Sequence, residues 1–301
     1  MDLDLIEEAI GGSRRSLART LSLIENGEIN IEQIRQALNI DANPSGSKNW
    51  KSLAITGAPG VGKSCLIDKL LSIWANSGLK IALLAIDPSS PRTGGALLGD
   101  RVRITSVDDE EIKNKIYIRS IATRKSSGNV PLIVADMIEF LHIAKWDRVI
   151  IETVGSGQSE VRCAAIADRI VVIEGPARGD GVQAEKAGLL ELADAVIVNK
   201  SDLSGAEKHA EELQESFELG LGDTPPVLLT SAINETGITE AANVLLNLAD
   251  SGRSVRARWR ERLLAHYERK LLESPKLDDI LSSLAVGSIS IDEAIKSLGG
   301  S

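Results

Sequence analysis

Between about residues 51 and 250, short apolar runs alternate with longer amphipathic stretches. Seven runs read as strands: 51–56, 80–86, 117–119, 148–152, 169–174, 195–198 and 226–230. Between them, apolar residues recur at helical spacing over 64–77, 131–144, 159–167, 182–193, 204–218 and 237–249. Runs that are apolar throughout are buried on both faces. The pattern therefore predicts an α/β fold with a mostly parallel sheet covered by helices on both sides. In such sheets, ligand-binding loops gather beyond the C-terminal ends of the strands.

The flanks read differently. Residues 1–40 carry three helical faces: Leu5, Ile6, Ala9 and Ile10; then Leu17, Leu21 and Ile24; then Ile31, Ile34 and Leu38. Gly11-Gly12 and Asn26-Gly27 break them. These helices are expected to cover the main domain rather than bind a partner, and residues 41–49 read as a linker. Residues 251–301 begin with a charged amphipathic helix whose apolar side carries Val255, Trp259, Leu263, Leu264 and Leu271. After Ser274-Pro275 come helical patterns over 278–284 and 289–298, the latter with a cap at Ser290. The chain thus divides into an N-terminal helical segment (1–45), a main domain (46–250) and a C-terminal arm (251–301). No internal repeat is evident.

Composition narrows the classes. The 301 residues carry a net charge of −9, and aromatics make up 3%. An acidic chain with few stacking residues argues against nucleic-acid binding. No run reaches membrane-spanning length, and the acidic start MDLDLIEEAI is unlike a signal peptide. The reading is a cytoplasmic protein with no membrane contact. Cys65 and Cys163 make no disulfide framework, and Cys65 is expected to be a buried small residue. His142, His209 and His266 lack metal-ligand spacing.

The chemistry centres on Gly57-Ala58-Pro59-Gly60-Val61-Gly62-Lys63-Ser64, followed by Cys65, between an apolar strand and a helical pattern. This is a phosphate-binding loop. Glycines let backbone N–H groups converge on phosphate oxygens, and the helix adds its positive N-terminus. Lys63 is expected to reach the β- and γ-phosphates, and Ser64 to coordinate Mg²⁺. Asn199-Lys200-Ser201-Asp202 follows the sixth strand. There Asp202 can accept from the guanine N1 and 2-amino groups, the Lys200 stem can lie along the base, and Asn199 can brace the loop. Adenine reverses that hydrogen-bond pattern. Ser231-Ala232 offers a backbone contact to the base. Glu152, ending the fourth strand, stands where nucleotide hydrolases hold Mg²⁺, and Gly155 is placed to sense the γ-phosphate. Asp87 follows the second strand, and Asp100 lies in the glycine-rich segment after it. Clustered carboxylates beside a triphosphate require a divalent cation between them.

Together GAPGVGKS, DPSSPRTGGALLGDRVRI, IIETVGSGQSE and VNKSD resemble the methylmalonyl-CoA mutase-associated GTPases. These are SIMIBI-class P-loop proteins once labelled arginine/ornithine transport kinases. The resemblance implies a homodimeric GTPase, turning GTP into GDP, that escorts a B12-dependent acyl-CoA mutase and gates cofactor loading. It implies that Asp87, Asp100 and Glu152 are metal-centre carboxylates. It further implies that residues 175–188 relay nucleotide state, with Lys186 sensing phosphate, and that the C-terminal arm dimerises. Departures from the family pattern at 123–131, Gly181, Ala184-Glu185 and Arg92 leave two partners open, methylmalonyl-CoA mutase itself and a related B12-dependent mutase acting on another acyl-CoA.

No glutamine or histidine stands out to position water, which leaves Asp87. A P-loop kinase using Asp87 as base is the competing reading, and the guanine signature weighs against it. Nickel insertion would need a Cys/His cluster, which the sequence lacks.

Overall fold

The computed structural model describes residues 2–40, 50–88, 104–123, 130–153, 162, 166–176, 190–219, 224–249, 253–272 and 274–299. Its centre is a seven-stranded sheet: β1 (Ser52–Gly57), β2 (Ile81–Pro88), β3 (Ile116–Thr123), β4 (Arg148–Thr153), β5 (Arg169–Glu174), β6 (Ala195–Asn199) and β7 (Val227–Thr230). The order is β3-β2-β4-β1-β5-β6-β7, and every pairing is parallel. All seven expected strands form, and β1 lies in the middle.

Period-2 alternation sends neighbouring strand residues to opposite faces. Ala54, Leu84, Ile151 and Val172 enter one core with the N-terminal helices α1 (Leu3–Ile10), α2 (Arg14–Glu25) and α3 (Ile31–Leu38) and with α5 (Val130–Ile143). Leu53, Ile55, Leu83, Ile150 and Val171 enter the other, with α4 (Lys63–Asn76) and α7 (Ile238–Leu246). Helix α6 (Ala206–Glu218) covers β6 and β7 through Ala206 and Ala210. The N-terminal helices therefore cover the main domain, as their apolar faces predict. Arg119 of β3 pins them by donating to the Ala18 carbonyl and the Ser22 hydroxyl and by pairing with Glu25.

Three aspartates at the N-terminal edge help set the register. Asp147 Oδ2 accepts from the Lys80 N–H, Asp168 Oδ2 from the Lys51 and Ser52 N–H groups, and Asp194 Oδ2 from the Ile170 N–H. Each sits just before one strand and satisfies donors at the start of its neighbour.

The arm forms α8 (Arg253–Leu272), α9 (Leu277–Ala285) and α10 (Ile291–Gly299). One side of α8 reaches the body, where Arg162 pairs with Glu268 and Arg262 donates to the Ile166 carbonyl. Its apolar side, carrying Trp259, Leu263, Leu264 and Leu271, is exposed.

One expectation is corrected. Cys65 is exposed, because α4 turns Leu66, Ile67, Leu70, Leu71 and Trp74 to the sheet and leaves position 65 outward. The α9–α10 hairpin turns like the α2–α3 hairpin, through a glycine at positive φ followed by a reciprocal N-cap. The helical patterns 159–167 and 182–193 fall mostly outside the described residues, although Ile166 forms a turn.

Candidate functional site

The loop after β1 is shaped by glycines that no other residue can replace without strain. Gly57 has φ 148°, and a Cβ there would lie 2.1 Å from the Ile173 carbonyl oxygen of β5. Gly62 has φ 92° and caps α4 without a side-chain hydrogen bond. A Cβ on it would meet Asn199 Nδ2 at 2.5 Å. The first-turn N–H groups of α4 are thus offered to an anion rather than to a capping side chain. Lys63 is buried, and its Nζ donates to the carbonyls of Gly57 at 2.8 Å and Ala58 at 3.0 Å.

Ser64, one residue further along α4, donates through Oγ to Glu152 Oε1 at 2.8 Å. Glu152 is buried at the end of β4 and registers with Ile55 of β1 and Ala85 of β2. The backbone of Asp87 lies two residues beyond that level on β2. A hydroxyl and a carboxylate meeting beside the loop form a hard, all-oxygen donor set, which fits Mg²⁺.

On the other side of the loop, Asn199 joins three segments. Its Nδ2 donates to the Val61 carbonyl at 2.9 Å. Its Oδ1 accepts from the Thr230 hydroxyl at 3.1 Å and the Ala232 N–H at 3.2 Å. Lys200, at φ 64°, donates from Nζ to the Gly60 carbonyl at 2.6 Å. Asp202 Oδ1 accepts from the Ser231 hydroxyl. Ser231 is held in turn by backbone bonds to Thr236 in both directions. The phosphate loop, the Asn-Lys-Ser-Asp turn and the segment after β7 are therefore one hydrogen-bonded unit.

Helix α4 carries a further fixed point. Asp68 lies one turn beyond Ser64, buried, and accepts from the Thr105 hydroxyl at 2.7 Å and the Ser106 N–H at 2.8 Å. Burial pushes its carboxyl up, but the hydrogen bonds from Ser106 and Thr105 outweigh that and hold it below the ordinary value.

Gly57, Ala58, Gly60, Val61, Lys63, Ser64, Glu152, Asn199, Lys200, Asp202, Ser231 and Ala232 thus converge at the C-terminal edge of the sheet, linked by these bonds. Pro59 lies in the same loop, and Cys65 faces outward from α4. Asp100, Gly155 and Lys186 lie outside the described residues. Sequence reasoning missed Thr230 and Asp68. Its only available signals were a threonine ending β7 and an acid four positions after Ser64 on one helix.

A parallel sheet with the phosphate loop after its middle strand, and an Asn-Lys-x-Asp turn braced against that loop, defines a P-loop GTPase. The profile described as "Methylmalonyl Co-A mutase-associated GTPase MeaB" matches residues 17–275. The chain belongs to that family. It is 41% identical over 243 residues to a protein of Pyrococcus abyssi named as a GTPase, covering 79% of this chain and 72% of that one. It is 30% identical over 286 residues to the GTPase ArgK of Escherichia coli, covering 90% and 84%. A relative in Cupriavidus metallidurans, named as a fused isobutyryl-CoA mutase, is 32% identical over 245 residues, covering 78% of this chain and 22% of that protein. The crystal structure of an LAO/AO transport system kinase superposes with a TM-score of 0.65 at 22% identity, over 99% of this chain and 96% of that one, which attests the fold.

Proposed function

We propose that this GTPase is Mg²⁺-dependent and acts as chaperone and gate for the loading of cofactor B12 into an acyl-CoA mutase, working in the cytoplasm as a homodimer. Residues 46–250 are the GTPase domain, 1–45 its helical cover and 251–301 the dimerisation arm. The observation that carries the mutase partner is the relative named as a fused isobutyryl-CoA mutase. Tethering two modules in one polypeptide raises their effective concentration to about the millimolar range, which favours modules that act on each other.

In the reaction GTP + H₂O → GDP + phosphate, Lys63 and the backbone N–H groups of the phosphate loop stabilise the charge that develops between the β- and γ-phosphates. To do so, Lys63 exchanges its two loop carbonyls for phosphate oxygens. Ser64 and Glu152 would hold Mg²⁺, with Asp87, the second-last residue of β2, and Asp100 contributing further carboxylates. When bound there, the cation would supply charge neutralisation to the triphosphate. Asp202 reads guanine, with Lys200 along the base and Ala232 supplying a backbone contact. Gly155 and Lys186 sense the γ-phosphate.

The test is GTP hydrolysis with and without candidate B12-dependent mutases. The expected result is slow turnover alone and faster turnover with the cognate mutase. Equal rates with every mutase tried would remove the partner from the reading. Transfer of labelled phosphate to an organic acceptor instead of water would replace hydrolysis with kinase chemistry.

A further inference from the structure

The loop after β7 is tied down on every side. The Ser231 N–H donates to the Thr236 carbonyl at 3.0 Å, and the Thr236 N–H returns to the Ser231 carbonyl at 3.2 Å. Glu235, at φ 57°, pairs with Lys69 of α4. Gly237 follows at φ 70°, where a Cβ would lie 2.2 Å from the Leu229 carbonyl oxygen, so the loop is seated against β7. Residues 231–236 are thus held in one arrangement between β7, α4 and the Asn-Lys-Ser-Asp turn.

Three successive N–H groups in this loop have different fates. That of Ala232 donates to Asn199 Oδ1 at 3.2 Å. That of Asn234 donates to the Ser231 hydroxyl oxygen at 3.3 Å. Among the described residues, the Ile233 N–H between them meets no acceptor, and Ile233 is 78% exposed. A serine oxygen that accepts from the N–H three residues on closes a capped turn, in which the intervening N–H groups point back toward the serine. That serine also donates to Asp202 Oδ1. An unused backbone donor and the Asp202 carboxylate are therefore presented side by side.

This pair is complementary to one edge of guanine. The carboxylate accepts from N1–H and the 2-amino group, and the adjacent N–H can donate to the 6-oxo oxygen. Adenine has an amino group at that position, so donor would face donor. The Ala232 N–H is poorly placed for the same task. With the Thr230 hydroxyl it fixes Asn199 Oδ1, which leaves Asn199 Nδ2 for the Val61 carbonyl of the phosphate loop. Giving that N–H to the base would cost the brace one of its bonds. We propose that the backbone N–H of Ile233, and not that of Ala232, reads the guanine 6-oxo group. This rests on the reading of Asp202 given above and names the residue that recognises the other end of the base edge. Being a main-chain group, it leaves no residue-type signal.

The experiment follows individual N–H groups by NMR in the full chain, labelled with ¹⁵N-isoleucine or with ¹⁵N-alanine. Loss of one signal in Ile233→Val, and of one in Ala232→Gly, identifies the two. When GDP binds, the Ile233 proton should shift downfield and its exchange with water should slow by about tenfold or more, while the Ala232 N–H, already bonded, changes little. With 6-thio-GDP, whose sulfur is the weaker acceptor, the Ile233 response should shrink. Replacing Ile233 by its α-hydroxy acid analogue removes the N–H and keeps the side chain. GDP should then bind roughly three- to tenfold more weakly, the scale of one neutral hydrogen bond, and the preference for GDP over 6-thio-GDP should vanish. An Ile233 N–H that does not respond to bound GDP, an Ala232 N–H that becomes the protected one, or a preference that survives the ester would overturn this inference and leave the role of Asp202 standing. Equal affinity for GDP and ADP would overturn both. Should the ester chain fail to fold, the exchange measurements on the wild type decide the matter.

Discussion

The hydroxyl of Ser64, in the first turn of α4, donates to Oε1 of Glu152 at the end of β4, 2.8 Å away across 88 positions of sequence. The two meet because β4 pairs directly with β1, the strand that feeds the phosphate loop. A hydroxyl and a buried carboxylate in contact are preorganised for a small divalent cation, since neither has to travel to reach it.

Glu152→Gln should keep the shape of this contact while removing its charge. The expected effect is roughly a 10–100-fold loss of apparent Mg²⁺ affinity, the usual scale for a group that orients or binds a metal. GTP hydrolysis titrated against Mg²⁺ checks it, and an unchanged midpoint would take Glu152 out of the metal centre.

Asp202 has a carboxylate oxygen engaged by Ser231, so its position is set before any base arrives. Asp202→Ala should weaken guanine nucleotides by about 1.5–3 kcal/mol, the range for a hydrogen bond to a charged group, and leave adenine nucleotides nearly unaffected. Competition of GDP and ADP against a fluorescent guanine nucleotide measures the ratio. Parallel losses for both nucleotides would argue against base reading by this residue.

The two loop glycines differ in what lies opposite them. A Cβ at Gly57 meets a sheet carbonyl, whereas one at Gly62 meets the Asn199 amide. Backbone in a sheet yields less readily than a side chain. Gly57→Ala should therefore lower the melting temperature more than Gly62→Ala, with strain of order 1–3 kcal/mol at such backbone positions. Gly62→Ala should mainly weaken nucleotide binding, because it displaces the residue that braces the loop. Thermal melts and nucleotide titrations of both variants separate the two effects.

His142, near the end of α5, has Nδ1 2.9 Å from the Trp146 carbonyl oxygen. Burial pushes its pKa below the ordinary value of 6.5, against the raising effect of that carbonyl. The unfolded chain therefore takes up a proton that the folded chain resists. The stabilisation is complete above about 6.5 and is lost as pH falls toward the lower folded pKa. His142→Asn keeps a donor for Trp146 and cannot titrate. Urea denaturation from pH 7.5 to 5 should show the wild type losing stability relative to the variant, by about 1.4 kcal/mol per unit of pKa difference. Parallel profiles would contradict this.

Local signals in the chain carried much of the site. The phosphate loop and the Asn-Lys-Ser-Asp turn are contiguous, and their chemistry depends on residue type and short spacing. The partners that hold them were not legible. Thr230 braces Asn199 from another strand, and Asp68 grips Thr105 from across a crossover, so neither pairing leaves a pattern in the sequence. Cys65 was misread for a related reason: one helical position decides between core and solvent, and the exact phase of α4 against the sheet comes from packing.

By itself the sequence determined the strands, the described helices that follow β1, β3, β6 and β7, and the phosphate-loop and Asn-Lys-Ser-Asp motifs, because backbone preference and hydrophobic period act over a few residues. Only the tertiary structure decided that β4 lies between β2 and β1, which brings Glu152 to Ser64. It also decided that one of two similar hairpins is buried while the other stands open. Strand order and burial depend on which distant surfaces meet, and that is settled by the packing of the whole chain.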